Sequence, residues 1–255
     1  MKVLIFVPGY LTAPTCSSRG DTYLAIYKHA CKYGFEFIYT PIPNNNYGDL
    51  GNITLNECVA NVVAQYNDIC ETRNIGPTDT LVLFGHSMGG LIVSKMVTST
   101  LLHKLKRRPD AVRLINPAIT INLSWANSVL GTLSTLLPNS ILSLPVLPIP
   151  VAERDWLFKG SSPYAPGVKP LLLSTMLQAQ GGLLMNNRTW CLSPDDALRE
   201  HITIVQCSED KVVSSEGARM HADAHNIHFV AISGGWHQYF DRSVLTALFR
   251  TLVPA

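Results

Sequence analysis

Hydrophobic positions along the chain fall into two alternating kinds of segment. Short, continuous apolar runs are typical of strands buried on both faces, and apolar residues three and four positions apart are typical of amphipathic helices. The runs cover residues 2–7, 35–40, 80–85, 111–115, 202–206 and 227–232. The helical pattern covers residues 21–33, 54–73, 88–105, 215–224 and 243–252. This alternation predicts an α/β fold with a doubly wound, mostly parallel sheet of about six strands and a site at the carboxyl ends of the strands.

The segment 120–190 breaks the alternation, because it is rich in both proline and leucine. A structureless loop of this length is uncommon inside a compact domain. We therefore expect an inserted apolar lid at 120–190 over a core made of residues 1–119 and 191–255. The alternative for this segment is a surface for oligomerisation or membrane contact.

Composition narrows the class of protein without choosing a function. A chain of 255 residues with 47% hydrophobic and 15% charged residues is typical of a globular protein that buries a large core. The net charge of +2, with one basic cluster at 104–108, gives no reason to expect a nucleic-acid partner. No apolar run reaches the roughly 20 residues of a membrane span, and the first run is short and lacks a cleavage site, so we expect a cytoplasmic protein.

Six cysteines are scattered along the chain without C-x-x-C spacing. This distribution favours reduced thiols over a metal or redox site. We therefore expect neither a metal nor an organic cofactor.

The motif Gly85-His86-Ser87-Met88-Gly89 lies between a predicted strand and a predicted helix. A serine at such a tight turn is held in a strained backbone with its hydroxyl exposed, and the flanking glycines remove side chains that would collide. The helix that follows offers unpaired N–H groups and the positive end of its dipole. The motif in this context predicts a nucleophilic serine that attacks a carbonyl, and hence a serine hydrolase.

A nucleophilic serine needs a base, and the base needs an orienting acid. His237 is the candidate base, because it follows the last predicted strand in a loop that two glycines allow to bend sharply. His86 lies beside the serine and is expected to point elsewhere. Asp210, directly after the next-to-last strand, is the candidate acid. Its competitor is Glu209, with Asp195 and Asp196 as more distant alternatives.

Two backbone N–H groups should stabilise the oxyanion. Met88, the residue after the nucleophile, supplies the first. The second should come from the loop after the first strand, where Tyr10 is our choice and Leu11 the alternative. Pro8 has no N–H to donate, and Pro8-Gly9 could also be a simple turn that ends the strand.

With Ser87, Asp210 and His237 in this order, the chain resembles the α/β-hydrolase superfamily, especially small esterases and lipases with the sequence G-H-S-M-G-G. The resemblance covers residues 1–119 and 191–255. It implies Ser87 as nucleophile, His237 as base, Asp210 as acid, and oxyanion amides at Tyr10 and Met88. The chain departs from many members by having Pro8-Gly9 in place of His-Gly at the oxyanion loop. Its predicted sheet is also short and lacks the leading antiparallel strands of larger members.

The expected activity is hydrolysis of small-molecule carboxylic esters, with apolar acyl groups favoured by the leucine-rich lid. Alternatives are a thioesterase or other acyl hydrolase, a catalytically silent ligand-binding protein of the same fold, and an interaction protein that uses its proline-rich segment. The sequence leaves the oligomeric state open.

Overall fold

The computed structural model describes residues 1–9, 20–42, 55–119, 195–210, 213–234, 237, 240–250 and 252. They contain one sheet of six parallel strands in the order β2-β1-β3-β4-β5-β6. The strands are β1 (Lys2–Val7), β2 (Glu36–Tyr39), β3 (Thr80–His86), β4 (Ala111–Ile115), β5 (Ile202–Cys207) and β6 (His228–Ile232). The predicted doubly wound parallel sheet is confirmed. The predicted lid at 120–190 lies outside the described residues.

Helices cover both faces of this sheet. They are α1 (Gly20–Lys32), α2 (Leu55–Thr72), α3 (Met88–Met96), α4 (Ser99–Leu102), α5 (Asp196–Arg199), α6 (Ser215–His225) and α7 (Arg242–Phe249). The inner strand β1 shows the reason, since Val3 and Ile5 pack in one core cluster with α2, α3 and α6. Leu4 and Phe6 pack in the other cluster with α1 and α7. Successive side chains of a strand point to opposite faces, so a continuous apolar run fills both cores.

The two outer strands are less buried than the inner four. In β6 the side chains of His228 and Ala231 are exposed, and all four residues of β2 are only partly buried. The expectation that every strand is buried on both faces is therefore wrong for the edges, because each edge strand has a neighbour on one side only.

The predicted single helix over residues 88–105 is also wrong. Helix α3 ends at Met96, Thr98 adopts an extended conformation, and the short α4 follows. The hydroxyl of Thr98 donates a hydrogen bond to the carbonyl of Lys95 and satisfies one of the last carbonyls of α3. The apolar spacing continues across this break, because Leu102 and Leu105 still face the core.

Four cysteines in the described residues carry free thiols: Cys31, Cys58, Cys70 and Cys207. Of the helices in the described parts of the chain, none combines the length and the hydropathy that crossing a membrane requires.

Candidate active site

Ser87 occupies the sharp turn between β3 and α3. Its backbone has φ 54° and ψ −119°, a positive φ that non-glycine residues rarely adopt. The N–H of Ser87 bonds to the carbonyl of Ile115, and its own carbonyl accepts from the N–H groups of Leu91 and Ala118. The strained conformation is thus held by the ends of two elements, as expected where a rare backbone state carries chemistry.

Glycines make this turn possible by allowing backbones to touch. A Cβ on Gly89 would lie 2.2 Å from the carbonyl oxygen of Pro8, and one on Gly85 would lie 2.6 Å from the carbonyl oxygen of Gly89. The end of β1, the end of β3 and the start of α3 therefore pack with no side chain between them. The serine is fixed at the carboxyl edge of the sheet, where doubly wound folds place their sites.

The structure brings the three side chains nominated from the sequence into one line. His237 Nε2 lies 2.8 Å from Ser87 Oγ, and His237 Nδ1 lies 2.7 Å from Asp210 Oδ2. His237 is 7% exposed and Asp210 is 4% exposed, so the hydrogen bond between them is buried, whereas the one between His237 and Ser87 is partly buried. The carboxylate accepts from Nδ1–H, which leaves Nε2 free of hydrogen and able to accept the serine proton.

Local hydrogen bonds orient the carboxylate of Asp210. Its Oδ1 accepts from the N–H of Val213 at 3.0 Å, while Oδ2 faces the imidazole. Two of the competing acids, Glu209 and Asp195, have other surroundings. Glu209 is exposed, and Asp195 caps α5 through the N–H of Ala197, one residue before Asp196 begins that helix.

The predicted oxyanion donors are only partly within the described residues. Met88 is the first residue of α3, so its N–H has no acceptor within the helix. Tyr10 and Leu11 lie outside the described residues. Gly9, just before them, passes directly over the turn, because a Cβ on Gly9 would lie 2.9 Å from His86 Nδ1 and 3.1 Å from Ser87 Cβ.

A second layer of polar side chains lies behind the triad, and sequence reasoning missed its members. The carbonyl oxygen of His237 is 2.8 Å from His86 Nε2 and accepts from Asn116 Nδ2 at 2.9 Å. His86 Nδ1 is 2.9 Å from the hydroxyl of Tyr23. The only sequence signal was the position of Asn116 directly after a strand, since Tyr23 fits the apolar stripe of its helix.

Burial sets the protonation of two groups near this layer. His86 is fully buried, and burial together with the nearby His237 lowers its pKa to about 3, so its imidazole is neutral at physiological pH. Burial raises the pKa of the Cys207 thiol to about 12, so this cysteine stays protonated and is no rival nucleophile. Within the described ranges, no cluster of three or more His, Cys, Asp or Glu side chains could hold a metal ion.

Comparison with models of known protein families finds a match over most of the chain. The model of the family described as serine aminopeptidase, S33, matches residues 53–241, a span that contains Ser87, Asp210 and His237. No curated protein matches the chain significantly by sequence.

Similar solved structures share the fold at low sequence identity. Est1E from Butyrivibrio proteoclasticus with bound ferulic acid is 14% identical, with 99% of this chain and 88% of that chain covered and a TM-score of 0.58. A soluble variant of monoglyceride lipase from Saccharomyces cerevisiae, in complex with a substrate analogue, is 15% identical over 98% and 84% of the two chains, with a TM-score of 0.61. Naproxen esterase from Bacillus subtilis is 15% identical over 99% and 84%, with a TM-score of 0.52. The chain belongs to the serine aminopeptidase S33 family and has the α/β-hydrolase fold.

Proposed function

We propose that this α/β hydrolase cleaves carboxylic esters through an acyl-enzyme formed on Ser87. The observation that carries the proposal is the line of hydrogen bonds from Ser87 Oγ through His237 to Asp210, with separations of 2.8 and 2.7 Å. Nucleophile, base and orienting acid within hydrogen-bond reach of one another are the signature of covalent acyl transfer.

In this mechanism Ser87 Oγ attacks the ester carbonyl while His237 Nε2 takes its proton. Asp210 stabilises the imidazolium that forms and keeps its Nδ1–H oriented. The oxyanion is held by the N–H of Met88 and by a second N–H that we assign to Tyr10, and each such donor is typically worth about 3 kcal/mol. His237 then protonates the leaving alkoxide, and water attacks the acyl-enzyme in the same way.

An apolar acyl group is the substrate that the sequence and topology favour. The leucine- and proline-rich segment 120–190 follows Ile119, and the preceding Ala118 donates its N–H to the carbonyl of Ser87. The chain therefore departs from the core directly beside the nucleophile. We propose that 120–190 is a lid on a core of residues 1–119 and 191–255, and that it lines the acyl site.

The similar solved structures support this assignment in outline. Est1E holds ferulic acid and the yeast monoglyceride lipase holds a substrate analogue, so the same fold accommodates small esters and acids with apolar parts. We also propose a cytoplasmic location. The free thiols of the four described cysteines are compatible with it, because disulfides are rare in that compartment.

Replacing the nucleophile tests the proposal. We expect Ser87→Ala to lower kcat for short p-nitrophenyl esters by about 10⁴-fold or more, and to abolish covalent labelling by a fluorophosphonate. The matched control is Ser94→Ala, which removes a buried hydroxyl that bonds to Leu91 in the same helix. Turnover in Ser87→Ala equal to that of Ser94→Ala would contradict the mechanism.

The leaving group is tested with a matched substrate panel. We expect wild-type protein to cleave p-nitrophenyl esters faster than thioesters or aminoacyl p-nitroanilides of the same acyl size, and longer acyl chains to lower KM. Preference for the thioester would identify a thioesterase, and preference for the anilide would match the aminopeptidase description of the family.

A further inference from the structure

The carbonyl of His237 fixes the hydrogen positions in the layer behind the triad. This oxygen lies 2.8 Å from His86 Nε2 and 2.9 Å from Asn116 Nδ2, and a carbonyl can only accept. His86 must therefore carry its hydrogen on Nε2. A neutral imidazole has one N–H, so His86 Nδ1 is an acceptor.

The hydroxyl of Tyr23 completes a chain with a single direction. It lies 2.9 Å from His86 Nδ1 and must donate to it, and its oxygen accepts from the N–H of Gly9 at 2.9 Å. The hydrogen bonds therefore run from Gly9 to Tyr23, from Tyr23 to His86, and from His86 to His237. The donor and acceptor roles of Tyr23 and His86, which lie between Gly9 and His237 in this chain, are therefore determined by their neighbours.

Aromatic packing holds this chain in place. The His86 ring meets Tyr23 edge-on at 5.7 Å and Phe240 edge-on at 5.2 Å between centroids. His86 has no exposed surface, so water cannot replace a lost partner. Buried polar networks of this kind are rigid when every member is satisfied, and they are costly to interrupt.

We propose that Tyr23 and His86 are positioning residues, which hold the backbone of His237 and the backbone of Gly9 in a fixed relation to Ser87. The inference rests on the proposed function, because His237 is the base and the loop after Gly9 is expected to supply the second oxyanion amide. One hydrogen-bonded unit then holds both the proton acceptor and Gly9, the last described residue before the predicted oxyanion amide. Neither Tyr23 nor His86 touches the reacting atoms in this scheme.

Removal of one hydroxyl tests the proposal. Tyr23→Phe keeps the ring packing but removes the donor to His86 and the acceptor at Gly9. Because misplacement of catalytic groups by about 1 Å can cost up to about 100-fold in rate, we expect kcat for a short p-nitrophenyl ester to fall about 10- to 100-fold. KM should change less than about threefold, since the lost contacts orient reacting groups and not the bound ester.

Two tyrosines serve as matched controls. Tyr27 lies one turn later in α1 and is 46% exposed, so Tyr27→Phe should leave kcat unchanged. Tyr66 is fully buried and donates its hydroxyl hydrogen to the carbonyl of Arg107, which precedes β4 and so lies at the opposite end of the strands from the site. Tyr66→Phe should lower thermal stability without lowering kcat, so it separates general destabilisation from a positioning effect.

A second variant makes the test independent of how well Tyr23→Phe folds. His86→Gln keeps an N–H that can reach the His237 carbonyl but loses the ring nitrogen that accepts from Tyr23. We expect it to slow the labelling of Ser87 by a fluorophosphonate about tenfold or more. Wild-type labelling by His86→Gln, or a kcat of Tyr23→Phe equal to that of Tyr66→Phe, would overturn the inference while Ser87→Ala stays inactive. Full activity of Ser87→Ala would instead overturn the proposed function.

Discussion

The two oxygens of the Asp210 carboxylate have different partners, one in the protein backbone and one in the imidazole of the proposed base, His237. Oδ1 accepts from Val213, and Oδ2 accepts from His237. In Asp210→Asn, the amide oxygen can keep one of these hydrogen bonds only by presenting the amide nitrogen to the other donor. If the oxygen stays with Val213, the imidazole is pushed towards the wrong tautomer.

We expect Asp210→Asn to lower kcat by about 10³- to 10⁴-fold without a large change in KM. Steady-state kinetics on a p-nitrophenyl ester check this, with circular dichroism to verify the fold. Glu209→Gln is the control, since Glu209 is adjacent but exposed. A kcat for Asp210→Asn within tenfold of the control would remove Asp210 from the proposed mechanism.

The G-x-S-x-G motif between a strand and a helix nominated Ser87 from the sequence, and position after a strand nominated Asp210 and His237, because parallel strands end at one edge. The same reasoning could not find Tyr23, whose hydrogen-bond partners lie 14 and 63 positions away along the chain. A tyrosine on the apolar stripe of a helix is indistinguishable from a core residue until its hydroxyl is located. The sequence predicted only that His86 points away from the serine, and its contact with a distant carbonyl was invisible in the sequence.

The crossing of β1 with α3 is the tightest contact between elements at the site. A Cβ on Gly89 would lie 2.2 Å and 2.3 Å from the carbonyl oxygens of Pro8 and Val7. These atoms are backbone, so no side-chain rotation can relieve the clash.

We therefore expect Gly89→Ala to destabilise the protein by about 3 kcal/mol or more, at the upper end of what overpacking usually costs. The control is Gly76→Ala, where the nearest atom to a new Cβ is 3.7 Å away, on the side chain of Asp79. Urea unfolding midpoints measure the difference. Equal midpoints for the two variants would show that α3 can move away from β1.

Element types followed from apolar spacing, but some boundaries did not. Val97 and Thr98 interrupt the predicted helix, and the carbonyl of Val97 accepts from the N–H of Asp195. That contact joins residues almost one hundred positions apart, so a local pattern cannot reveal it. The exposure of β6 likewise depends on its place at the edge of the sheet, which the run of apolar residues does not encode.

Two imidazoles, the buried His86 and the partly buried His221, link the stability of the protein to pH. Burial lowers the pKa of His86 to about 3, and burial with the nearby His225 lowers that of His221 to about 4. In the unfolded chain both return to about 6.5. Between these values the unfolded state binds more protons, so the free energy of unfolding is greatest above pH 6.5 and falls as the pH decreases. Each histidine contributes up to about 1.4 kcal/mol per pH unit.

We expect urea unfolding at pH 7 and pH 5 to show this loss, and His221→Gln to reduce it by about half. His228→Gln is the control, because His228 is exposed on the edge strand. If the stability of His221→Gln and of wild type depended on pH in the same way, the loss of stability at low pH could not be assigned to His221.

The members of the proposed triad follow different strands of the sheet. Ser87 follows β3, whereas Asp210 and His237 follow β5 and β6, and the pairing of β4 with β5 joins the two sides. The long segment 120–190 also begins between these two strands in the sequence, since Ile119 follows β4 and the described chain resumes at residue 195, before β5. The activity that we propose therefore requires the pairing of β4 with β5 to be intact. Separation of β4 from β5 would move Ser87 away from His237 and Asp210, and the proposed activity would be lost without any chemical change to these side chains.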